Sequence, residues 1–430
     1  MKLDYNLDGY SYLTDDSSKL DKDTLFLLTA QNQKYFDKLE DKPSFITPKD
    51  LILKWGLDTI KSVGVTGTNG KTTVTASIYS FLLDLGKKVA LQGTRGFFVN
   101  EERMEEKIMT TPSILETLNH QKIAKDRGCR YFIMEVSSHA IDQNRIEDIE
   151  FALKVHTNVT SDHLDYHQTV EEYRAVKSRF FADEAPKLLN KDDIKNITYN
   201  PKNAQSYGVD EPATFKVQAF SLTNGIVAGV KHLSKEASFT SPMVGLFNLF
   251  NLMASIGATV MLTGKSIEEV CEVVLNFAGV AGRMEVVSSD PLVIVDFAHT
   301  DDGMVQVLDS MKDRDVVVVF GAGGNRDRTK RARMGAVASK FAKKVFVTSD
   351  NPRDEDPAQI IKDILKGIKD QSNVRAMVDR AFAIQEALKE LKKDEVLMIL
   401  GKGDEDYMEI KGNKIHFDDR EVVRLLLEKM

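Results

Sequence analysis

Apolar residues follow two different spacings along the chain, and their alternation predicts an α/β protein. Apolar runs of strand length fall at 60–65, 89–91, 131–136 and 152–155. Between them apolar residues recur at helical spacing, most clearly after residue 73 and at 248–262, where Gly264 ends the pattern. Strands that alternate with helices in this way are typical of a parallel sheet. Residues 61–282 are therefore predicted to form one α/β domain.

A second series of strands and helices follows residue 282. Its strand candidates are 292–297, 316–320, 344–347 and 396–400, and its helix candidates are 331–343, 357–369 and 379–391. The polar segment before residue 60 has one strand candidate at 24–28 and is short for an independent fold, so we expect it to pack on the next domain of the chain. The pattern thus divides the chain into 1–60, 61–282 and 283–430.

Length and composition indicate a soluble globular protein. The chain has 430 residues, of which 42% are hydrophobic and 29% are charged. Its two cysteines, Cys129 and Cys271, exclude a disulfide framework and a cysteine-based metal site. No segment has the pattern of a signal peptide or a membrane span, which predicts a cytoplasmic protein without membrane insertion. A net charge of −7 argues against a nucleic-acid surface.

The sequence T-G-T-N-G-K-T-T at 66–73 stands between a strand candidate and the start of a helix. Backbone N–H groups and the positive end of a helix bind phosphate at such a turn. The glycines allow close approach, Lys71 would reach the outer phosphates, and the Thr72 hydroxyl would meet a magnesium ion. Val65 stands where the strict pattern has its first glycine. The segment predicts binding of a nucleoside triphosphate.

Further candidate ligands come after two of the predicted strands. Glu135 lies near the end of the strand candidate 131–136, where a parallel sheet beside a phosphate loop would place a magnesium-binding carboxylate. The segment 157–167 is rich in oxygen and imidazole groups and contains His163 and His167. A zinc protease would need Glu at the position of Leu164, so H-E-x-x-H fails. We interpret His167 as a hydrogen-bonded surface residue.

Two other patterns resemble nucleotide motifs but are discounted. The sequence G-A-G-G-N-R at 321–326 follows a strand candidate, yet Arg326 occupies the position of the third glycine in the dinucleotide fingerprint. The sequence N-K-D-D at 190–193 matches the guanine-reading N-K-x-D, but no D-x-x-G is suitably placed between it and the phosphate loop. We interpret 190–193 as a polar turn.

Together the motifs resemble those of the Mur ligases of peptidoglycan synthesis. The segments that carry the resemblance are 66–73, 135–139, 157–167, 279–285, 296–300, 321–328 and 350–353. They occur in the family's order and cover essentially the whole chain. The resemblance implies three domains: a small N-terminal α/β domain that holds UDP, a central P-loop ATPase domain with a parallel sheet, and a C-terminal Rossmann-like domain that brings the amino acid. It also implies a monomer that uses ATP and Mg²⁺, with hinge closure near 279–283.

The resemblance assigns roles to individual residues. It implies catalytic roles for Lys71, Lys177 and His163. Metal contacts would come from Thr72, Glu135, His163 and Lys177, the last as a carbamate. ATP would contact Gly67, Thr68, Asn69, Gly70, Lys71, Thr72, Thr73, Asn248, Arg283 and His299. The UDP-N-acetylmuramoyl-dipeptide, UDP-MurNAc-L-Ala-D-Glu, would contact Ser17, Thr110, Thr111, Ser137, Gln143 and Arg145.

The amino acid that the resemblance implies is meso-diaminopimelate rather than lysine. Its expected contacts are Arg326, Asp350, Asn351, Arg353, Gly401 and Glu405. D-N-P-R at 350–353 is the form this motif takes in diaminopimelate-adding members, and a guanidinium can hold the distal carboxylate by two hydrogen bonds. Lysine would leave Arg353 buried and unpaired. We therefore expect Arg353 to select against lysine.

The sequence departs from the family pattern at several positions, and it leaves alternative functions open. The N-terminal region is short, and Asp16-Ser17-Ser18 replaces the customary D-S-R. Asp301 stands where proline is common, and Asp404 where the family usually has His. A lysine-adding Mur ligase or a folylpolyglutamate synthetase would differ in the acceptor on which ADP release depends. A nucleotide-switch protein that uses N-K-x-D would prefer GTP.

Overall fold

The computed structural model describes residues 1–106, 109–160, 162, 164–223 and 225–429. In this part of the chain the strands form three sheets and a separate hairpin. The N-terminal sheet has the order β1-β2-β3-β4, with β1 and β2 antiparallel and the other pairs parallel. Its strands are β1 (Lys2–Leu7), β2 (Tyr10–Thr14), β3 (Thr24–Leu27) and β4 (Phe45–Ile46). Two short helices accompany it, α1 (Gln33–Phe36) and α2 (Pro48–Trp55).

The central sheet has eleven strands in the order β15-β14-β13-β12-β11-β10-β5-β9-β6-β7-β8. Every pair from β13 to β6 is parallel, which confirms the predicted parallel sheet, and β6-β7 and β7-β8 are antiparallel. The strands are β5 (Lys61–Thr66), β6 (Val89–Gly93), β7 (Gly96–Val99), β8 (Glu102–Glu106), β9 (Tyr131–Glu135), β10 (Phe151–His156), β11 (Lys187–Asn190), β12 (Ala204–Gly208), β13 (Phe215–Ser221), β14 (Ile226–His232) and β15 (Lys235–Ser241).

Helices flank this sheet and include one long apolar helix. They are α3 (Lys71–Asp84), α4 (Ile114–Asp126), α5 (Ser138–Asp142), α6 (Leu164–His167), α7 (Val170–Arg179), α8 (Leu246–Thr263) and α9 (Ile267–Val273). Helix α8 is long and apolar enough to cross a membrane, but 72% of its residues are buried inside the fold. That burial is typical of a core helix. Gly264, at φ +70°, ends it as the sequence predicts.

The N-terminal sheet packs on the central domain, as expected from its small size. Leu13 and Leu27 from this sheet share a buried apolar cluster with Leu115 and Leu118 of α4. The Lys125 ammonium, at the end of α4, also donates to the Trp55 carbonyl at 2.6 Å. Residues 1–60 therefore obtain part of their core from a helix of the central domain.

The C-terminal sheet has the order β16-β17-β21-β18-β19-β20, and all of its pairs except β16-β17 are parallel. Its strands are β16 (Glu285–Ser289), β17 (Leu292–Asp296), β18 (Asp315–Phe320), β19 (Lys344–Val347), β20 (Val374–Ala376) and β21 (Glu395–Leu400). The hairpin strands are β22 (Tyr407–Ile410) and β23 (Asn413–His416). The helices are α10 (Asp301–Asp309), α11 (Thr329–Phe341), α12 (Pro357–Leu365), α13 (Arg380–Glu390) and α14 (Asp419–Leu427).

Strand β18 shows why the strands of this sheet have continuous apolar sequences. Val316 and Val318 point into one buried cluster, and Val317 and Val319 point into another on the opposite face. A parallel strand with helices on both faces must be apolar at every position. Both faces of the C-terminal sheet are therefore covered, in agreement with the Rossmann-like domain that the resemblance implies.

By packing, the chain divides into two compact units. The first comprises Met1–Phe220, Val227–Thr240 and Phe250–Phe277, and the second is formed chiefly by the chain from Ala278 onward. The N-terminal and central sheets thus belong to one unit. The division at residues 60 and 282 stays a prediction.

A buried ion pair ties together the strand ends of the C-terminal sheet. The Arg380 guanidinium donates to both carboxylate oxygens of Asp419 at 2.7 Å, and both side chains are fully buried. It also donates to the Ser349 carbonyl at 3.1 Å and to the Leu400 carbonyl at 3.0 Å. Arg380 therefore fixes the loops that leave β19 and β21.

Replacing Arg380 by Ala should lower the free energy of unfolding of the C-terminal unit by about 3–5 kcal/mol, because Asp419 would stay buried without its partner. The control is Arg375→Ala, since Arg375 is 52% exposed and pairs with Glu386 and Glu390 at the surface. That change should cost less than about 1 kcal/mol. Urea unfolding followed by circular dichroism measures both, and equal losses would contradict the role of Arg380.

Candidate active site

The loop at 66–73 connects β5 to α3 and approaches its neighbours too closely for side chains at its glycines. A Cβ atom on Gly67 would lie 1.9 Å from the Thr157 hydroxyl oxygen. A Cβ atom on Gly70 would lie 2.3 Å from the Asn251 amide oxygen, and Gly70 has φ +83°. Both positions therefore require glycine. The predicted strand–loop–helix arrangement is confirmed.

The segment after β10 fixes the conformation of this loop. The Thr68 amide donates to the Asn158 backbone carbonyl at 2.7 Å, and the Asn69 amide donates to the Asn158 side-chain oxygen at 3.0 Å. The Thr157 hydroxyl donates to the Asn69 carbonyl at 2.6 Å. The sequence indicated 157–167 as a polar segment but not this role.

The Lys71 ammonium lies over the loop. It donates to the carbonyls of Gly67 and Thr68 at 2.9 and 2.8 Å. Thr73 follows in the first turn of α3 and is buried. This placement holds the positive charge of Lys71 beside the amides at the start of the helix, where a phosphate group is favoured.

Thr72 and Glu135 meet, as the sequence predicts. The Thr72 hydroxyl donates to Glu135 Oε2 at 3.0 Å, and Glu135 is 1% exposed. The carboxylate also accepts from the Thr94 amide at 2.9 Å and from the Thr94 hydroxyl at 3.3 Å. A hydroxyl and a carboxylate are hard oxygen donors, so this pair fits a magnesium ion. Thr94 lies 41 residues from Glu135, and sequence reasoning missed it.

Lys177 is buried beside the same loop. Its side chain is 1% exposed, and its Nζ donates to the Gly67 carbonyl at 2.9 Å and to the Thr66 hydroxyl at 3.3 Å. Burial, reinforced by the nearby Lys71 charge, lowers the pKa of Lys177 well below its usual value. The neutral amine is therefore favoured at this position.

Five of the six predicted contacts of the muramoyl-dipeptide form one connected group. The Thr111 hydroxyl accepts from the Ser137 amide at 3.0 Å, and the Thr111 carbonyl accepts from Arg145 Nη1 at 3.0 Å. Arg145 Nη2 donates to the Gln143 side-chain oxygen at 2.6 Å. Thr110 joins through a 3.1 Å contact between its hydroxyl and that of Thr94, which binds Glu135.

The structure leaves the predicted roles of Ser17 and His163 untested. Ser17 begins a short 3-10 turn that Asp16 caps in the N-terminal sheet, and its role as a UDP contact stays a prediction. His163 lies outside the residues that the structure describes, so its metal role also stays a prediction. The interpretation of His167 as a surface residue is wrong. Its side chain is buried, and its Nε2 lies 2.9 Å from the Ser138 hydroxyl.

The N-K-D-D segment is a structural turn, as interpreted from the sequence. The Asn190 side-chain Nδ2 donates to the Thr157 carbonyl at 2.7 Å. The Asp193 carboxylate accepts from the Val159 amide at 2.9 Å and from the Asn196 side chain at 2.7 Å. These contacts use the groups with which a guanine reader would bind its base.

In the second unit, Asn351 connects the predicted amino-acid contacts. Its Nδ2 donates to Glu405 Oε2 at 2.8 Å, and the fully buried Lys402 ammonium lies 3.2 Å from the same oxygen. Gly401 has φ +113°, and a Cβ atom there would lie 2.7 Å from Asp350 Oδ2. The ends of β19 and β21 thus meet, as parallel strands of one sheet should.

Arg353 differs from its expected state. We expected it to be buried and unpaired without a ligand, but it is 21% exposed in its side chain and pairs with Glu409, with Nε and Oε2 3.1 Å apart. Its Nη1 donates to the Gly324 carbonyl at 2.8 Å. The expected penalty for lysine is smaller for this reason. Glu409 lies 56 residues from Arg353, in a hairpin that the sequence did not predict.

The remaining predicted residues have local partners in the second unit. Arg326 is exposed in the loop after β18. The Arg283 guanidinium lies 4.5 Å above the Phe297 ring, and the exposed His299 has its Nδ1 3.0 Å from the Phe297 carbonyl. Asn248, 2% exposed, donates to the Val244 carbonyl at 2.8 Å. Their contacts with ATP stay predictions.

Family models match most of the chain. Residues 65–259 match the model of the Mur ligase middle domain, and residues 282–403 match that of the Mur ligase glutamate ligase domain. The chain belongs to the Mur ligase family. Two curated Mur ligases named UDP-N-acetylmuramoyl-L-alanyl-D-glutamate–2,6-diaminopimelate ligase are similar along almost their whole length. That of Wolinella succinogenes is 51% identical over 98% of both chains, and that of Helicobacter pylori is 47% identical over 98% of this chain and 97% of its own.

Two solved structures are similar to this chain in fold. A structure of UDP-N-acetylmuramoyl-L-alanyl-D-glutamate–2,6-diaminopimelate ligase superposes with a TM-score of 0.69 at 28% identity, covering 97% of this Mur ligase and 94% of that chain. The bifunctional folylpolyglutamate synthase/dihydrofolate synthase of Yersinia pestis, complexed with AMPPNP and a manganese ion, superposes with a TM-score of 0.62 at 19% identity, covering 86% and 94%. The second likeness concerns the fold alone.

Replacing Lys71 by Ala should reduce ATP turnover at least about 100-fold, because its ammonium is expected to neutralise phosphate charge. The melting temperature should change little, since the ammonium donates to carbonyls of its own loop. Lys202→Ala is the control, because Lys202 is 60% exposed and pairs with Glu184. ADP release and thermal unfolding measure the two effects. Retention of more than a tenth of wild-type turnover would contradict the assignment of the phosphate loop.

Proposed function

We propose that this chain is an ADP-forming ligase that adds meso-diaminopimelate to UDP-MurNAc-L-Ala-D-Glu in peptidoglycan precursor synthesis. The observation that carries the proposal is the group around Asn351, which brings Glu405 and Arg353 to one edge of the C-terminal sheet. A carboxylate and a guanidinium there are complementary to the distal ammonium and carboxylate of diaminopimelate. The ligases that are 51% and 47% identical bear the name of this activity.

The reaction requires activation, because a carboxylate acylates amines poorly. An oxygen of the D-glutamyl carboxylate attacks the γ-phosphorus of ATP, and ADP leaves. The neutral amine of diaminopimelate then attacks the acyl carbon of the acyl phosphate. The tetrahedral intermediate expels phosphate as the nitrogen loses a proton, which leaves an amide bond. Such a sequence depends mainly on positioning and on neutralisation of charge.

The residues of the phosphate loop suit the first step. Because the Thr68 and Asn69 amides donate to Asn158, the amides at the start of α3, from Gly70 to Thr73, and the Lys71 ammonium would hold the phosphates of ATP. Thr72 and Glu135 would hold Mg²⁺, which supplies charge neutralisation at the phosphates. The muramoyl-dipeptide would be oriented by Thr111, Ser137 and Arg145. This group is joined to Glu135 by the Thr111 hydroxyl, which donates to the Glu135 carbonyl and accepts from the Ser137 amide.

The second step requires the amine at the acyl carbon. Arg353 would bind the distal carboxylate of diaminopimelate, and Glu405, held by Asn351 and Lys402, would receive the distal ammonium. L-Lysine has the amine that reacts and a distal ammonium, but it has no distal carboxylate. It would therefore lose the bidentate contact with Arg353. We also propose that the enzyme is monomeric, which gel filtration with light scattering would test. We further propose a cytoplasmic location.

We further propose that Lys177 acts as a carbamate. A neutral amine attacks carbon dioxide, forms an N–C bond and loses a proton, which converts Lys177 into an anionic oxygen ligand. The lowered pKa of Lys177 supports this reaction, because only the neutral amine attacks carbon dioxide. A carboxylate-like group suits a hard cation better than an ammonium does. Burial beside the Gly67 carbonyl would protect the carbamate from water.

ADP release should depend on UDP-MurNAc-L-Ala-D-Glu and should be at least about tenfold faster with meso-diaminopimelate than with L-lysine at equal concentrations, because loss of the Arg353 contact is worth more than about 1.4 kcal/mol. A coupled pyruvate kinase assay with a panel of amino acids measures this. A folate acceptor provides the control for the synthetase alternative. Comparable rates with L-lysine would contradict the assigned amino acid, and release that depends on folate would contradict the proposed function.

Wild-type protein incubated with ¹³C-bicarbonate should show a carbamate carbon in its NMR spectrum, and Lys177→Met should lack it. Because the pKa of Lys177 is lowered, the signal should persist at neutral pH and disappear when acid protonates the amine. Lys187→Met is the control, since Lys187 is also buried but donates to the carbonyls of Asp183 and Lys202 at 2.9 and 3.0 Å. An unchanged signal in Lys177→Met would contradict the carbamate.

A further inference from the structure

The hairpin β22–β23 holds the backbone of Arg353. The Arg353 amide donates to the Glu409 carbonyl at 2.9 Å, and the Lys411 amide donates to the Arg353 carbonyl at 2.8 Å. Arg353 has φ +50°, a left-handed conformation that is unfavourable for a residue with a Cβ atom. The hairpin therefore maintains a backbone conformation that the loop would not favour by itself.

Glu409 also holds the side chain of Arg353. Its Oε2 accepts from Arg353 Nε at 3.1 Å, while Nη1 donates to the Gly324 carbonyl at 2.8 Å. Within the described part of the chain, Nη2 makes no hydrogen bond. Two fixed contacts define the plane of the guanidinium and leave the Nη1–Nη2 edge with hydrogens for an incoming group. That edge has the geometry of a bidentate carboxylate site.

We infer that Glu409 is a positioning residue that orients Arg353 for the distal carboxylate of the amino-acid substrate. This inference rests on the proposed function and adds a residue outside the D-N-P-R segment to the selection of diaminopimelate. An arginine side chain has many rotamers, so binding must otherwise include the free energy of ordering it. Glu409 orders the side chain before the substrate arrives.

A different carboxylate is available for the distal ammonium. Glu405 Oε2 is held by Asn351 Nδ2 at 2.8 Å and faces the Lys402 ammonium at 3.2 Å. The Glu409 carboxylate is instead engaged by Arg353, and its backbone amide donates to Asn351 Oδ1 at 2.8 Å. The two carboxylates therefore have separate roles, and only that of Glu409 acts through the arginine.

The test compares Glu409→Ala with Glu409→Gln in the full-length enzyme. Glu409→Ala should raise the KM for meso-diaminopimelate about tenfold with kcat within about twofold, because it removes binding that is common to the ground and transition states. Glu409→Gln should stay within about threefold of wild type, since its amide oxygen still accepts from Nε. The slow turnover of L-lysine and the KM values for ATP and the UDP substrate should not change.

Glu421→Gln is the matched control, because Glu421 pairs with His416 at the opposite end of the same hairpin, with His416 Nε2 2.7 Å from Glu421 Oε2. It should behave as wild type. An unchanged KM for meso-diaminopimelate in Glu409→Ala would overturn the inference alone. So would equal losses in Glu409→Gln and Glu409→Ala, or a parallel rise in every KM. Wild-type enzyme that releases no ADP with meso-diaminopimelate would overturn the proposed function as well.

Discussion

The close packing of the phosphate loop against the segment after β10 is the constraint on which the first unit depends. Gly67 approaches Thr157 so closely that no side chain fits between them, and Asn158 accepts hydrogen bonds from two backbone amides of the loop. The same loop contacts the Lys177 amine through the Gly67 carbonyl, and Thr72, in the first turn of α3, donates to Glu135. The residues proposed to bind phosphate and magnesium, and the Lys177 amine, therefore all depend on one loop. Changes at the glycines should disturb all three together.

In the second unit, buried cations fix the positions of the loops and of their side chains. Arg380 joins the ends of two parallel strands, and Lys402 holds Glu405 next to Asn351. Arg331, also fully buried, pairs with Glu355 and Asp363 behind the loop after β18. Fixed charges of this kind cost desolvation, and they hold the proposed substrate contacts in position before a ligand binds.

Much of this arrangement could be predicted from the sequence, because strands buried on both faces and loops with fixed chemistry leave local patterns. The strand Lys344–Val347 has its predicted bounds, and Thr72 meets Glu135 as expected. Strands β13 and β15 were missed because they are largely exposed and lack a continuous apolar run. Glu409 was missed, and Arg353 was expected unpaired, because a contact across 56 residues leaves no spacing signal.

Transfer of an oxygen atom tests the proposed ligase chemistry most directly. The D-glutamyl carboxylate of UDP-MurNAc-L-Ala-D-Glu would be labelled with ¹⁸O, and the enzyme would be supplied with ATP and meso-diaminopimelate. Formation of an acyl phosphate requires that each released phosphate carry one ¹⁸O atom, in equal amount to the amide product, as mass spectrometry would measure. Unlabelled phosphate, released in step with ADP, would contradict activation of the carboxylate and with it the proposed function.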